Sequence, residues 1–368
     1  MTDYQRPPGR EDFEVAFICA LEREYDAVCL ILDYSWDEQG DSYGRVSGDF
    51  NQYTTGRIGE YNVVVLLAPT GQVSLASATT SLRISFPGVK MALVVGVCHA
   101  VPRVDNVDVR FGDVVISKTV FQHDFGRQYP DRFERKDTTE DELGPAAKDI
   151  RGLLKIFGTD DGLERLKSRT AVSLEQLQVK ARSKNQGERW QVPHMEEFGQ
   201  SNAANASAPA IFLGPIASGS SVIKSQAHRD KLAKYDGAVA FEMAGPRVWP
   251  ELPCLVVKGV CDYGGVQKNT RWQGFAAATA AATAKAILQQ YAQNDKPASA
   301  AVPGPTTATQ EGSTYTGLVQ GKRIYHGNDI EVASTQPLRN YLQKGSQFGS
   351  NVESDEDVRQ GNKMIFSQ

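Results

Sequence analysis

The stretch Leu255-Val-Val-Lys258-Gly-Val-Cys261-Asp262-Tyr263, with Val239-Ala-Phe-Glu242-Met243-Ala244-Gly245 shortly before it, decides the reading of the fold. Each is a short run of apolar, β-branched residues that closes on an acidic side chain. Near-continuous apolar runs of this length read as strands buried on both faces. Working outward, Phe13–Ala20, Tyr61–Ala68, Met91–Val97, Asp113–Ser117, Ala238–Met243 and Cys254–Val260 share the pattern. Between them, Leu21–Ile31, Val73–Phe86 and Ser225–Lys234 carry helical spacing, and Trp272–Tyr291 is an alanine-rich helix former. Alternation of strand and helix predicts an α/β fold whose central sheet is covered on both faces.

The chain has 368 residues and a mass of 40.2 kDa, which fits one catalytic-sized domain and an appendage. Its formal charge of −4 gives no general attraction for nucleic acid or anionic membrane, so any phosphate site must be local. Basic stripes with interleaved aromatics are missing, and no apolar run approaches the ~20 residues needed to span a bilayer. Five cysteines without a CxxC pair indicate a reducing compartment. Met1 to Glu14 is polar, carries Pro7 and Pro8, and does not resemble a signal peptide, so a cytoplasmic location is expected. Histidines and cysteines show no metal-ligand spacing, and no cofactor is expected.

Composition predicts a flexible N-terminus over 1–12, a head over 13–292, a linker over 293–312 and a repeat tail over 313–368. Within the head, residues 134–210 read as an insertion: charged Arg135–Leu143, helical Asp149–Leu166, then a polar loop Asn185–Ala210 suited to a lid. The linker carries Pro297, Pro303 and Pro305 among Ala, Ser and Thr. In the tail, Ser313-Thr-Tyr315 is echoed 33 residues later by Ser346-Gln-Phe348, and Gly327-Asn328 recurs 34 residues later as Gly361-Asn362. Two units this small cannot form a globular core, and stacked extended strands are the expected solution.

Glu22 and Glu24 follow the first strand, Glu242 a later one and Asp262 the last. Ligands in doubly wound sheets bind at the carboxyl ends of strands, so these carboxylates could share one crevice and do acid/base work. Helix N-terminal acids placed for the macrodipole would also account for Glu22 and Glu24. Gly214-Pro-Ile-Ala-Ser-Gly219-Ser-Ser221 approaches a P-loop, but Ser220 stands where the lysine is required.

Six motifs occur in the order used by the nucleoside phosphorylase/nucleosidase superfamily, and the chain resembles that family from about Phe13 to Tyr291. They are Ala20-Leu-Glu-x-Glu24, Val94-Val-Gly96-Val-Cys-His-Ala-Val-Pro102, Phe111-Gly112-Asp113-Val-Val-Ile-Ser117, Ile216-Ala-Ser218-Gly219-Ser, Phe241-Glu-Met243 and Val260-Cys-Asp262. The resemblance implies a central mixed sheet flanked by helices, a homo-oligomer, and cleavage of the N-glycosidic bond of a purine nucleoside or nucleotide. It gives Asp262 the role of acid toward purine N7 and Glu24 that of orienting and deprotonating water. It places Glu242 and Met243 at the ribose, Val222 and Ile223 at the base, Phe241 among the substrate-binding residues, and Gly96 and His99 in a loop at the ligand, where His99 is open to either a ligand contact or a buried structural role. Of the basic candidates for a substrate's own phosphates, Arg127 and Lys224 stand with Lys118 and His123. Members of the family usually read Glu-Met-Glu, whereas this chain has Ala244, and His99 stands where glycine is common. Hydrolysis is favoured; phosphorolysis, or an inactive ligand-sensing head, are the alternatives. The tail resembles the HET-s-type amyloid signalling motifs of fungi. A head of this family on such a tail resembles fungal cell-death or immune effectors, which implies an NLR-type receptor as partner; one branch of the head's superfamily cleaves ATP, so the resemblance implies ATP or adenosine as substrate.

Overall fold

The structure, a computed structural model, describes residues 4–40, 42–69, 72–131, 133–135, 147–193, 208–220, 223–264 and 270–291. In the tail it describes 308–311, 314–316, 330–333, 341–344, 359–360 and 362–367. The chain divides into two compact units, Met1–Tyr291 and Ala292–Gln368.

The first unit begins β1 (Val15–Cys19), α1 (Glu22–Ile31), β2 (Tyr34–Ser35), β3 (Tyr53–Ile58), β4 (Tyr61–Leu67), α2 (Gln72–Ser85) and β5 (Met91–Ala100). A small ribbon of β6 (Arg103–Val104) and β7 (Val107–Asp108) precedes β8 (Val114–Gln122), and a second pairs β9 (Gly126–Gln128) with β10 (Phe133–Arg135). Then come α3 (Lys148–Phe157), α4 (Asp160–Ser183), β11 (Ile211–Ser218), α5 (Gln226–Asp236), β12 (Ala240–Glu242), α6 (Gly245–Val248), β13 (Cys254–Asp262) and α7 (Trp272–Leu288).

Among the described residues, nine strands join in the order β12-β11-β8-β13-β5-β1-β4-β3-β2. β1, β4, β5 and β13 run parallel, whereas β8 is antiparallel to β13 and β3 to β4, so the sheet is mixed as expected. β12 also pairs antiparallel with β5, which closes five strands on themselves. Both faces are covered. Val15, Phe17 and Cys19 of β1 point into one core with α1, α3, α4 and α7, while Ala16 and Ile18 point into another with α2 and α6. The period of two turns one continuous apolar run into two cores.

Helix α7 is buried along its whole length, and its alanines let it lie close on the sheet. At Gly259 of β13 even a methyl group would strike the Ala276 carbonyl. The Phe111-Gly112-Asp113 motif is a stitch between strands. Gly112 has φ +91, its N–H donates to Val260 O at 2.8 Å, and Val260 N–H donates to Asp113 O at 2.8 Å. The buried Asp113 carboxylate accepts from Arg110 N at 2.7 Å and Ala210 N at 2.8 Å.

Burial pushes the Asp113 carboxyl up to about 6 against the pull of those two amides. The folded state therefore holds this proton more tightly than the unfolded state, where an ordinary Asp titrates near ~3.9. Its contribution is most favourable below that value and is lost as pH rises through about 6. The Tm advantage of the parent over Asp113→Asn is expected to grow between pH 7 and pH 5, by the equivalent of roughly 1–1.5 kcal/mol. Parallel pH profiles of Tm for the two proteins would contradict this.

Four expectations are corrected here. Residues 4–12 are not a loose lead-in: Tyr4 packs edge-on against Tyr34, Tyr43 O–H donates to the Pro7 carbonyl, and Arg10–Asp12 form a helical turn. The helical pattern read as Asp149–Leu166 is two helices, broken at Gly158-Thr159, where Thr159 Oγ1 caps α4 by accepting from Gly162 N at 3.1 Å. Both helices belong to the core, through Ile150, Phe157, Leu166, Leu174 and Leu177, because their apolar stripes cover the sheet; residues 194–207 of the loop suited to a lid lie outside the described residues. Strands β3 and β11 escaped the sequence reading, since Thr54, Thr55 and Gly56 in one and Gly214 and Pro215 in the other interrupt the apolar run. Finally, β5 and β8 run on past their expected ends to Ala100 and Gln122.

In the second unit the described strands are β14 (Ala308–Glu311), β15 (Thr314–Thr316), β16 (Ile330–Ala333), β17 (Tyr341–Lys344), β18 (Arg359–Gln360) and β19 (Asn362–Ser367). β14 pairs parallel with β17, Ala308 opposite Tyr341, and β16 pairs parallel with β19, Ile330 opposite Met364. These separations are the same as those of the sequence repeat. Gly327, Asn328 and Gly361 lie outside the described residues, as do most of the linker and Ser313 and Ser346.

Candidate active site

A cavity opens at the carboxyl ends of β1, β5, β12 and β13. Its walls include Glu24, His99, His123, Ile223, Glu242 and Lys258, with Ala20, Leu21, Val97, Cys98, Phe241, Met243, Ala244, Cys261 and Gln273.

Glu24 is the third residue of α1, and its carboxylate turns back to accept from Ala20 N and Leu21 N, both at 2.9 Å. This is the helix-capping role that the sequence left open. The same carboxylate also crosses to β5, where its other oxygen accepts from Val97 N at 2.8 Å. Gly96 makes that crossing possible, since any side chain there would occupy the space of the Glu24 carboxylate. Glu24 is 2% exposed and fixed at the cavity wall by three amides.

Lys258 sits opposite Gly96 in the β13–β5 register and is 2% exposed. Its Nζ lies 3.5 Å from Glu242 Oε2. Burial opposes the ammonium charge, but Glu24 and Glu242 outweigh it and hold the group above the ordinary lysine value. The sequence motifs assign this lysine no role. The available signal was a lone charge inside an apolar strand, which is rare unless the charge is paired.

Glu242 ends β12, and its carboxylate is consumed locally. Oε2 accepts from Ala244 N and Oε1 from Gly245 N, each at 2.8 Å, which closes the turn into α6. With the Lys258 contact, its side chain is 1% exposed, so it braces the cavity wall more than it faces the cavity. Ala244 lines the cavity with a methyl group.

Asp262 and His99 meet through an irregularity in the sheet. Val260 pairs with Cys98 but Asp262 with His99, so Cys261 is an extra residue on β13. Such a bulge re-aims the side chains beyond it. Asp262 Oδ1 accepts from Gly264 N at 2.7 Å, and Oδ2 lies 3.2 Å from His99 Nε2. His99 is part of the cavity wall and Asp262 lies behind it, 7% exposed.

Met243, Phe241, Ile223 and Gly96 fall at or beside the cavity, while Val222 lies outside the described residues. Arg127 does not join them: it is exposed in the β9–β10 ribbon, opposite Glu134. Lys118 and Lys224 are exposed as well. His123 does reach the cavity, buried and edge-on to His228 at 6.1 Å. Gln273, at the start of α7, is a lining residue that the sequence reading missed; its place depends on α7 lying across the end of β13. Among the described residues, no group of three His, Cys, Asp or Glu is placed to hold a metal, and no helix is long and apolar enough to cross a membrane.

A mixed sheet with acidic and basic side chains converging at its strand ends defines an α/β protein with an enzyme-like cleft. The family model described as the Phosphorylase superfamily matches residues 14–246, and the chain belongs to that superfamily. A nucleotide-binding leucine-rich repeat (NLR)-like protein of Hyaloscypha variabilis is 30% identical over 305 residues. That match takes in 76% of this chain but 29% of the relative, so the chain spans less than a third of the relative's length. Among solved structures, the 5'-methylthioadenosine/S-adenosyl homocysteine nucleosidase of Helicobacter pylori matches with a TM-score of 0.51 and 16% identity, covering 76% of this chain and 99% of that one. The futalosine hydrolase of Helicobacter pylori matches with a TM-score of 0.50 and 16% identity, over 76% of this chain and 98% of that one. At these identities the likeness is one of fold.

Proposed function

We propose that the head hydrolyses the N-glycosidic bond of a purine nucleoside or nucleotide, adenosine or ATP being the leading candidates. The observation that carries this reading is the gathering of Glu24, Lys258 and the Asp262–His99 pair around one cavity at the strand ends. As the bond to the sugar breaks, positive charge develops on the sugar and negative charge on the base. A buried carboxylate that can take a proton from water and a proton donor for the base together answer both demands. Glu24 is proposed for the first role and the Asp262–His99 pair for the second; Lys258 keeps the buried carboxylates in place.

Hydrolysis is favoured over phosphorolysis because Lys258 is the only Lys or Arg among the described lining residues, and it is engaged by Glu242. An inorganic phosphate would need a richer cradle of cations and amides. With Arg127 and Lys224 outside the cavity lining, the ATP reading rests on the likeness to an NLR-like protein and not on a phosphate site. In the same reading the tail, whose strands pair in parallel at the spacing of its repeat, brings heads together as an immune or cell-death effector that answers an NLR-type receptor. A second reading, an inactive ligand-sensing head, is favoured by Ala244 and by the local engagement of Glu242.

Incubating the full chain with ATP, adenosine and inosine, with and without phosphate, and separating the products by chromatography tests the proposal. Free base without phosphate is expected. Release only with phosphate would make the head a phosphorylase, and no release under any condition, tails assembled or not, would leave the sensing role.

A further inference from the structure

We infer that the proton reaches the departing base from His99, with Asp262 acting behind it as the positioning residue. This deepens the nucleosidase reading and rests on it. Three observations carry the assignment. His99 is in the cavity wall, while Asp262 is not among the lining residues and lies behind the wall. The bulge at Cys261 places Asp262 directly across from His99, so the two side chains meet at 3.2 Å through Nε2 and Oδ2. Asp262 is itself fixed by the Gly264 amide at 2.7 Å, in a turn where Gly264 has φ +67, a conformation that favours glycine. Among the described residues, His99 Nδ1 has no hydrogen-bond partner, which leaves that nitrogen for a ligand.

The arrangement follows the logic of a carboxylate that orients an imidazole, while the imidazole moves the proton. The bond between the anomeric carbon and the base nitrogen breaks, and its electron pair goes to the base. The imidazolium of His99 gives its proton to the base and becomes a neutral imidazole held by the Asp262 carboxylate. Water bonds to the anomeric carbon and its proton goes to Glu24. Solvent then returns a proton to His99 and takes one from Glu24.

The test is His99→Gln in the full chain, because the glutamine amide reaches as far as Nε2 and keeps a donor for Asp262 but cannot deliver a proton. Two substrates are compared: adenosine, whose base needs a proton to leave, and a p-nitrophenyl β-riboside, whose phenolate leaves without one. On adenosine kcat is expected to fall by about 10²–10⁴-fold, the usual worth of a general acid, with KM changed only a few-fold. On the nitrophenyl riboside the loss should stay within about tenfold. Should His99→Gln not fold, His99→Asn serves in its place, with the thermal melt as the check. Parent-like kcat on adenosine, or equal losses on both substrates, would overturn the assignment while leaving the nucleosidase reading standing. Failure of the parent to release base from ATP, adenosine and inosine alike would overturn both.

Discussion

Replacing Lys258 by methionine is expected to cost about 3–5 kcal/mol of stability and to abolish base release. Lys258 is 2% exposed, and Glu242, whose carboxylate lies 3.5 Å from its Nζ, has a side chain 1% exposed. Methionine fills much the same volume, so packing is nearly conserved. What remains is a buried carboxylate without its counter-charge, and breaking one half of a buried pair is more damaging than never having built it. Glu24, fixed in the same wall, would also lose the nearby positive charge. Lys258→Arg keeps the charge and should recover part of the stability. Thermal melts of the parent and both variants decide the matter: a Lys258→Met protein that melts with the parent would mean that the pair contributes nothing.

The second large effect is expected at a residue with no side chain. In Gly96→Ala the new methyl group meets the Glu24 carboxylate, and that carboxylate cannot swing away without losing the Ala20, Leu21 and Val97 amides. Overpacking of this kind costs about 1–3 kcal/mol, and each buried donor left unmet adds about 1–3 kcal/mol. Turnover should fall with it, because the displaced group is the proposed base. A double-mutant cycle isolates the cause. Gly96→Ala should be destabilising in the parent and much less so in a Glu24→Ala background, where the space is empty. Equal costs in both backgrounds would place the damage in the backbone of β5 instead.

The acids were readable from sequence because each follows an apolar strand-like run, and β1, β12 and β13 do end at Cys19, Glu242 and Asp262, with Glu24 one turn further on. Their tasks were not readable. Glu242, expected at a ribose, is occupied by the two amides that follow it and by Lys258, a partner sixteen positions away on another strand. His99 was expected in a loop facing the ligand; it lies inside β5, because β12 and β13 offer backbone partners on both sides of it. Arg127 and Lys224 have the right chemistry for phosphate, but exposure depends on which way a ribbon or a turn faces, and local spacing does not encode that.

The amino-acid sequence by itself determined the alternation of strand and helix, the division near residue 292, and the acids at the strand ends. Each of these follows from local rules, the period of apolar residues and the placement of turn formers, that act over a few neighbours. The tertiary structure alone decided that Asp262 stands behind His99, that Lys258 serves buried carboxylates, and that Gly96 leaves room for Glu24. Those contacts join residues far apart in the chain, and they depend on one register shift at Cys261 and on strand pairings that no local pattern specifies.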